Sequence, residues 1–148
     1  MNKLSFILFS FAAMGLAGCS TTHIDPSDAK AVQPLNFATS QNIDASNVTF
    51  VRDVGAYSCG LTVGCLVDGI LALKLEPGEK ASIKLDPGMH SFVCQGQDIF
   101  GAHNAASINH TLTLNAKDEL VFRVGFSHTS TVLILQEKNG QKFQTVLE

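Results

Sequence analysis

Residues 62–94 read TVGCLVDGILALKLEPGEKASIKLDPGMHSFVC, and their spacing decides the fold. Val63, Cys65 and Val67 precede Asp68-Gly69, and Leu71, Leu73 and Leu75 follow it, so apolar residues recur at every second position. A period of two marks a half-buried strand, because successive side chains leave opposite faces of a sheet. Asp68-Gly69 suits a type I′ hairpin, whose two turn residues both need positive φ. The spacing therefore predicts strands over Thr62–Val67 and Ile70–Leu75, with Leu71, Leu73 and Leu75 on one face and Ala72 and Lys74 on the other. Two similar turns follow ten residues apart, Leu75-Glu-Pro-Gly78 and Leu85-Asp-Pro-Gly88. In each, proline presets φ and glycine accepts the positive φ of the next position, which describes a type II turn. Between them Ala81, Ile83 and Leu85 alternate with Ser82 and Lys84, and Met89–Cys94 makes a further strand.

The same grammar extends outward. Upstream, Val48–Asp53 is a candidate strand. Downstream, Ile108, Leu112 and Leu114 alternate with Asn109, Thr111 and Thr113, and Asn115–Asp118 reads as a turn. Leu120, Phe122, Val124 and Phe126 line one face of the next strand. Thr131–Leu135 is apolar on both faces, as in an interior strand. Lys138–Gln141 reads as a hairpin turn leading to Phe143–Leu147. No segment after the N-terminal apolar run shows a 3.6-residue period. About nine short strands with dense Gly, Pro and Asn punctuation predict an all-β domain, an antiparallel β-sandwich in preference to a closed barrel.

Phe50-Val-Arg-Asp53, Val67-Asp-Gly69, Leu75-Glu-Pro-Gly-Glu79 and Leu85-Asp-Pro-Gly-Met-His90 follow one another at short intervals. This succession resembles a group of bacterial lipoproteins of unknown function with a PEGA-like, immunoglobulin-like β domain. The resemblance covers about Thr49–Cys94. It implies an immunoglobulin-like sandwich and brings no catalytic residue with it, since its motifs are turns.

Composition narrows the classes further. The 148 residues carry 10 Lys and Arg against 13 Asp and Glu, a net charge of −3, with 45% hydrophobic and 16% charged residues. Plentiful apolar residues exclude a disordered chain. The acidic balance and the lack of a basic cluster argue against nucleic acid as a partner.

The N-terminus points to a compartment. Lys3 precedes an apolar run, Leu4–Leu16, which is too short to span a bilayer in helical form, where ~20 residues are needed. Leu16-Ala17-Gly18-Cys19 resembles the bacterial lipobox. That resemblance implies a signal peptide over 1–18 and a mature chain beginning at an acylated Cys19, with the lipid bilayer as its partner. Several acyl chains anchor stably where a single one does not. Ser20 in place of aspartate resembles the outer-membrane sorting pattern, so the expected location is the outer membrane, facing the periplasm. The mature 130 residues carry nine bases and thirteen acids, a net charge of −4. Residues 19–47 hold Pro26 and Pro34 and no sustained period, and read as a flexible tether packed on the domain at most around Pro34–Phe37. The β domain is expected over 48–148.

With Cys19 acylated, Cys59, Cys65 and Cys94 remain in an oxidising compartment. If Thr62–Val67 and Met89–Cys94 are antiparallel neighbours, the start of the first lies beside the end of the second. That favours a Cys59–Cys94 bridge over Cys65–Cys94, with Cys65 as a buried thiol, and Cys59–Cys65 is the alternative. Of the five histidines, His90 and His110 share phase with apolar residues. No pair has zinc spacing, and neither a G-x-S-x-G nucleophile elbow nor a Gly-rich phosphate cradle is present. Carboxylates such as Asp53, Asp68, Asp86 and Asp118 sit at turns, where Asx hydrogen bonding accounts for them. No cofactor and no catalytic residue are expected. The leading expectation is a non-catalytic envelope module that binds a protein partner, for which an exposed sheet edge needs no special motif. Alternatives are a periplasmic inhibitor of lysozyme-type enzymes, and a metal-binding or hydrolytic protein using His90 and His110.

Overall fold

Asp68 and Gly69 carry φ values of 51° and 79°, the paired positive angles of a type I′ turn. The strands on either side pair antiparallel, as the alternation predicts. The computed structural model describes residues 21–35, 37, 39–55, 61–97, 106–107, 109–126 and 130–143. Among them, eight strands have five or more residues: β3 (Ser46–Arg52), β5 (Thr62–Val67), β6 (Ile70–Leu75), β7 (Glu79–Leu85), β8 (Gly88–Gln97), β9 (His110–Leu114), β10 (Glu119–Phe126) and β11 (Thr131–Lys138). Four two-residue strands complete the set: β1 (Thr21–Thr22), β2 (Lys30–Ala31), β4 (Val54–Gly55) and β12 (Gln141–Lys142).

They form one sheet of order β12-β11-β10-β3-β7-β2, a second of order β6-β5-β8-β9, and a β1-β4 ribbon. The inward faces of the two larger sheets share one core. Phe50 and Phe122 are register partners in the six-stranded sheet, with ring centroids 5.3 Å apart. Phe92 from the opposite sheet sits 5.0 Å from Phe122 and 6.1 Å from Phe50. All three are fully buried among Val48, Leu73, Ile83, Leu114 and Leu120. Gly96 admits a close neighbour, since a Cβ there would lie 2.7 Å from the Phe126 ring.

Three features depart from the sequence expectations. First, the sheet is mixed, because β3 and β10 run parallel and so do β2 and β7. A tight turn enforces antiparallel pairing only between strands it joins directly. β10 reaches β3 after the chain has crossed to the other sheet and back, so nothing enforces reversal. Second, pairing slips between Cys65 and Leu66, where Ala72 is the extra residue of a bulge. Ala72 is consequently buried, and Leu71 is exposed instead of sharing the face of Leu73. Third, Gly88 has φ 147°, unlike Gly78 at 78°, so only the turn at Glu76–Glu79 keeps the type II glycine angle. β11 pairs with β10 along its length and with β12 at Glu137 and Lys138, the Phe143 amide donates to the Gln136 carbonyl at 2.8 Å, and residues 144–147 of the expected last strand lie outside the described residues.

The stretch read as a tether is stitched to the domain over its described part. Thr21 and Thr22 pair with Gly55 and Val54, and Lys30 and Ala31 with Glu79 and Lys80. The Leu35 amide donates to the Ala72 carbonyl at 3.0 Å, and the Ser40 amide to the Lys84 carbonyl at 2.9 Å. Val32 and Phe37 pack against the core, and Ala29 is buried. Short polar segments without a period of their own can still lie along a sheet edge, because backbone hydrogen bonds require no side-chain pattern.

Candidate functional site

The cysteines come first. Cys65 is bonded to Cys94, with Cα atoms 4.1 Å apart. The expected Cys59–Cys94 pairing is therefore corrected, and Cys65 is not a free thiol. β5 and β8 are antiparallel neighbours as expected, but the register differs. β8 runs on to Gln97, which faces Thr62, and this slides Cys94 directly opposite Cys65. Aligning strand ends at Cys94 places the wrong residue across from it. Both cysteines are fully buried. Cys19 and Cys59 lie outside the described residues, as do His103 and His128.

His90 and His110 stand on the same sheet but do not form a site together. The His90 partner in register is Leu112, and that of His110 is Phe92. His90 Nδ1 lies 2.7 Å from Asp68 Oδ2, and its Nε2 lies 2.9 Å from the Asp86 carbonyl oxygen. The Ser91 amide donates to Asp68 Oδ1 at 2.8 Å. Both imidazole nitrogens are thereby engaged, tying the Asp68-Gly69 turn to the Asp86–Gly88 bend. A ring held this way has no nitrogen left to take a proton from a nucleophile. Partial burial acts to raise the Asp68 pKa. The Ser91 amide and the His90 hydrogen bond outweigh it and hold the carboxyl below its ordinary value. Among the described residues, no group of three or more His, Cys, Asp or Glu side chains is placed to hold a metal ion.

Asp118 anchors the same end of the domain. It accepts from the Asn115 amide at 2.9 Å and the Asn139 side chain at 2.8 Å, and pairs with Lys138 Nζ at 2.9 Å. Burial acts to raise its pKa, but these donors reverse the effect and lower it to about 2. A carboxyl lowered in the folded state stabilises above its unfolded pKa, and that stabilisation is lost as pH falls through the folded value. Urea unfolding should accordingly show Asp118→Asn less stable than the parent at pH 6, by on the order of 1–2 kcal/mol. The gap should close between about pH 4 and pH 2. A pH-independent gap would mean that the Asp118 charge is not what stabilises the turn.

His110 borders a cleft of about 330 Å³ lined by Ala106, Ser130, Thr131, Leu133 and Leu135 among others. Among the described residues, the cleft lies between β9, the edge of the four-stranded sheet, and Ser130–Leu135 at the start of β11. Ladder parity fixes what β9 presents. The Cys94 amide donates to Ser107 Oγ at 3.0 Å, and the Cys94 carbonyl accepts from the Ser107 amide at 2.8 Å. Cys94 thus directs its backbone groups to the β9 side, as do Phe92 and His90 two and four residues before it. Their partners His110 and Leu112 point inward, leaving the N–H and C=O groups of Thr111 and Thr113 facing outward along the edge.

At the opposite end lies a buried ionic cluster around Asp53, a residue the sequence reading places at a turn. Asp53 is 2% exposed, and its carboxylate accepts from Arg123 Nε at 2.5 Å. It also accepts from the Ile24 amide at 3.3 Å, and His23 Nδ1 lies 3.4 Å away. Beside it, Arg52 is fully buried, donates to the Leu75 carbonyl at 2.6 Å and lies 5.3 Å over the Phe126 ring. Burial pushes the Arg52 pKa down to about 10, which leaves it charged at neutral pH. Its phase was the available signal, since Arg52 follows Val48 and Phe50 at period two and so belongs to the inward face.

Comparison with models of protein families, with curated proteins and with solved structures finds no match to this chain.

Proposed function

We propose that this chain is a lipid-anchored, non-catalytic module of the bacterial envelope, acylated at Cys19, that binds a protein partner by accepting one of its strands along β9. The observation that carries the binding part is the β9 edge, unpaired among the described residues, where Thr111 and Thr113 turn their backbone groups outward beside an apolar cleft. Strand addition draws its affinity from such main-chain groups and its selectivity from neighbouring pockets. The lipobox-like Leu16–Cys19 and the apolar Leu4–Leu16 support the anchor and a periplasm-facing position at the outer membrane. The PEGA-like, immunoglobulin-like reading rests on the turn succession from Phe50 to His90. A reaction centred on His90 has less support, because both its ring nitrogens are held by the fold. His110 is separate from that cluster and has no carboxylate partner among its described contacts.

Crosslinking in intact envelopes, with the partner identified by mass spectrometry, tests the binding mode. Thr111→Pro removes one outward N–H while leaving the ladder to β8 intact, a substitution that edge strands tolerate. The expected result is a roughly tenfold or greater loss of the crosslinked partner, equivalent to ~1.4 kcal/mol or more, at an unchanged melting temperature. Equal recovery with Thr111→Pro and the parent would exclude β9 as the docking edge.

A further inference from the structure

The chain has almost no slack between Cys19 and the folded domain. Thr21 and Thr22 are already paired with Gly55 and Val54. Immediately afterwards the Ile24 amide and the His23 ring meet Asp53, whose carboxylate is also held by Arg123. The Lys30 amide then donates to the Gly78 carbonyl at 2.9 Å, and Lys80 Nζ donates to the Pro26 carbonyl at 2.6 Å. These contacts join the segment to Asp53, β4, β7 and the Glu76–Glu79 turn, all at one end of the domain. Only Ser20 separates Cys19 from the first paired residue. Two residue steps span at most ~7 Å.

We infer that the domain rests directly on the lipid surface, with the end carrying Thr21–Ile24, Asp53–Gly55 and the Glu76–Glu79 turn against the headgroups. This rests on the proposed acylation of Cys19. The opposite end, with the Asp68-Gly69, Asn115–Asp118 and Asn139-Gly140 turns, then points away from the bilayer. The strands between the two ends set the height: ten residues of β8 rise ~33 Å. A partner on β9 is therefore met within about that distance of the headgroups. A free tether of 28 residues could instead reach ~90 Å.

Neutron reflectometry of the natively processed full chain on a supported bilayer decides between these arrangements. The expected profile has protein density beginning at the headgroups, with no water-filled layer between. A variant with twenty Gly and Ser residues inserted between Ser20 and Thr21 should lift that density by ~25 Å, the coil dimension of such a linker. Protein held on the bilayer but separated from it by a hydrated gap of ~20 Å or more in the parent would overturn the inference and leave the anchor standing. Absence of protein from the bilayer would overturn the anchor, and the inference with it.

Discussion

Phe122→Ala is expected to lower unfolding stability by about 3–5 kcal/mol, the usual cost of emptying a buried aromatic site. Phe122 is fully buried, stacks on Phe50 and touches Phe92 from the facing sheet, so its ring joins the two halves of the core. Its neighbours belong to strands held by ladder hydrogen bonds on both sides, which limits how far they can collapse into the space. In a domain of this size the change should lower the melting temperature by about 10–20 °C. Phe122→Leu keeps most of the volume and should cost under ~1.5 kcal/mol. Urea titrations of both variants measure the difference. Equal losses for Ala and Leu would show that the ring fills no space that the two sheets depend on.

The second large effect concerns the Cys65–Cys94 bridge. Its sequence separation is 29 residues. For a closed loop of about this length, the chain-entropy relation predicts about 3–4 kcal/mol of stabilisation through the unfolded state. Replacing both cysteines with alanine should remove that amount, and non-reducing peptide mapping of the parent should link Cys65 to Cys94. Both sulfurs lie inside the core, so a reductant must wait for opening of the domain. Reduction should thus be slow in buffer and rapid in denaturant. A bridge reduced as fast in buffer as in urea would show that β5 and β8 do not enclose it.

The contrast between sequence and structure follows the range of the forces involved. Strands β5, β6 and β7, the Asp68-Gly69 hairpin and the Glu76–Glu79 turn depend on residues close in sequence, and the alternation of Val63, Cys65 and Val67 locates them. Register is different. It is set by how far β8 continues past Cys94 to Gln97, and no local pattern marks that end. One consequence is the exchange of Cys59 for Cys65 as the partner of Cys94. The parallel β3–β10 pair escapes for a related reason, since it is made by strands more than sixty residues apart. The bulge at Ala72 needs two strands to define it, so the period alone places Leu71 on the wrong face.

The ionic cluster shows the same limit from the other side. Asp53 lies beside Gly55 in a stretch with turn chemistry, and only the arrival of Arg123 from β10 and Ile24 from the N-terminal segment makes it a buried junction. Arg52 was accessible to a stricter use of the period, which places it inward whatever its charge. The N-terminal segment illustrates a third case. Residues 21–35 have the composition of a linker, yet their amides find carbonyls on β7 and its turn. Composition reports what side chains can bury, and says little about a backbone that completes an edge.

Intact-mass spectrometry of the protein extracted from membranes by detergent tests the anchoring proposal at its source. The predicted species begins at Cys19 and carries a diacylglyceryl thioether and an N-terminal acyl chain, while Cys19→Ala accumulates with residues 1–18 still attached. A mature, unacylated chain recovered in the soluble fraction and beginning at any other residue would contradict it.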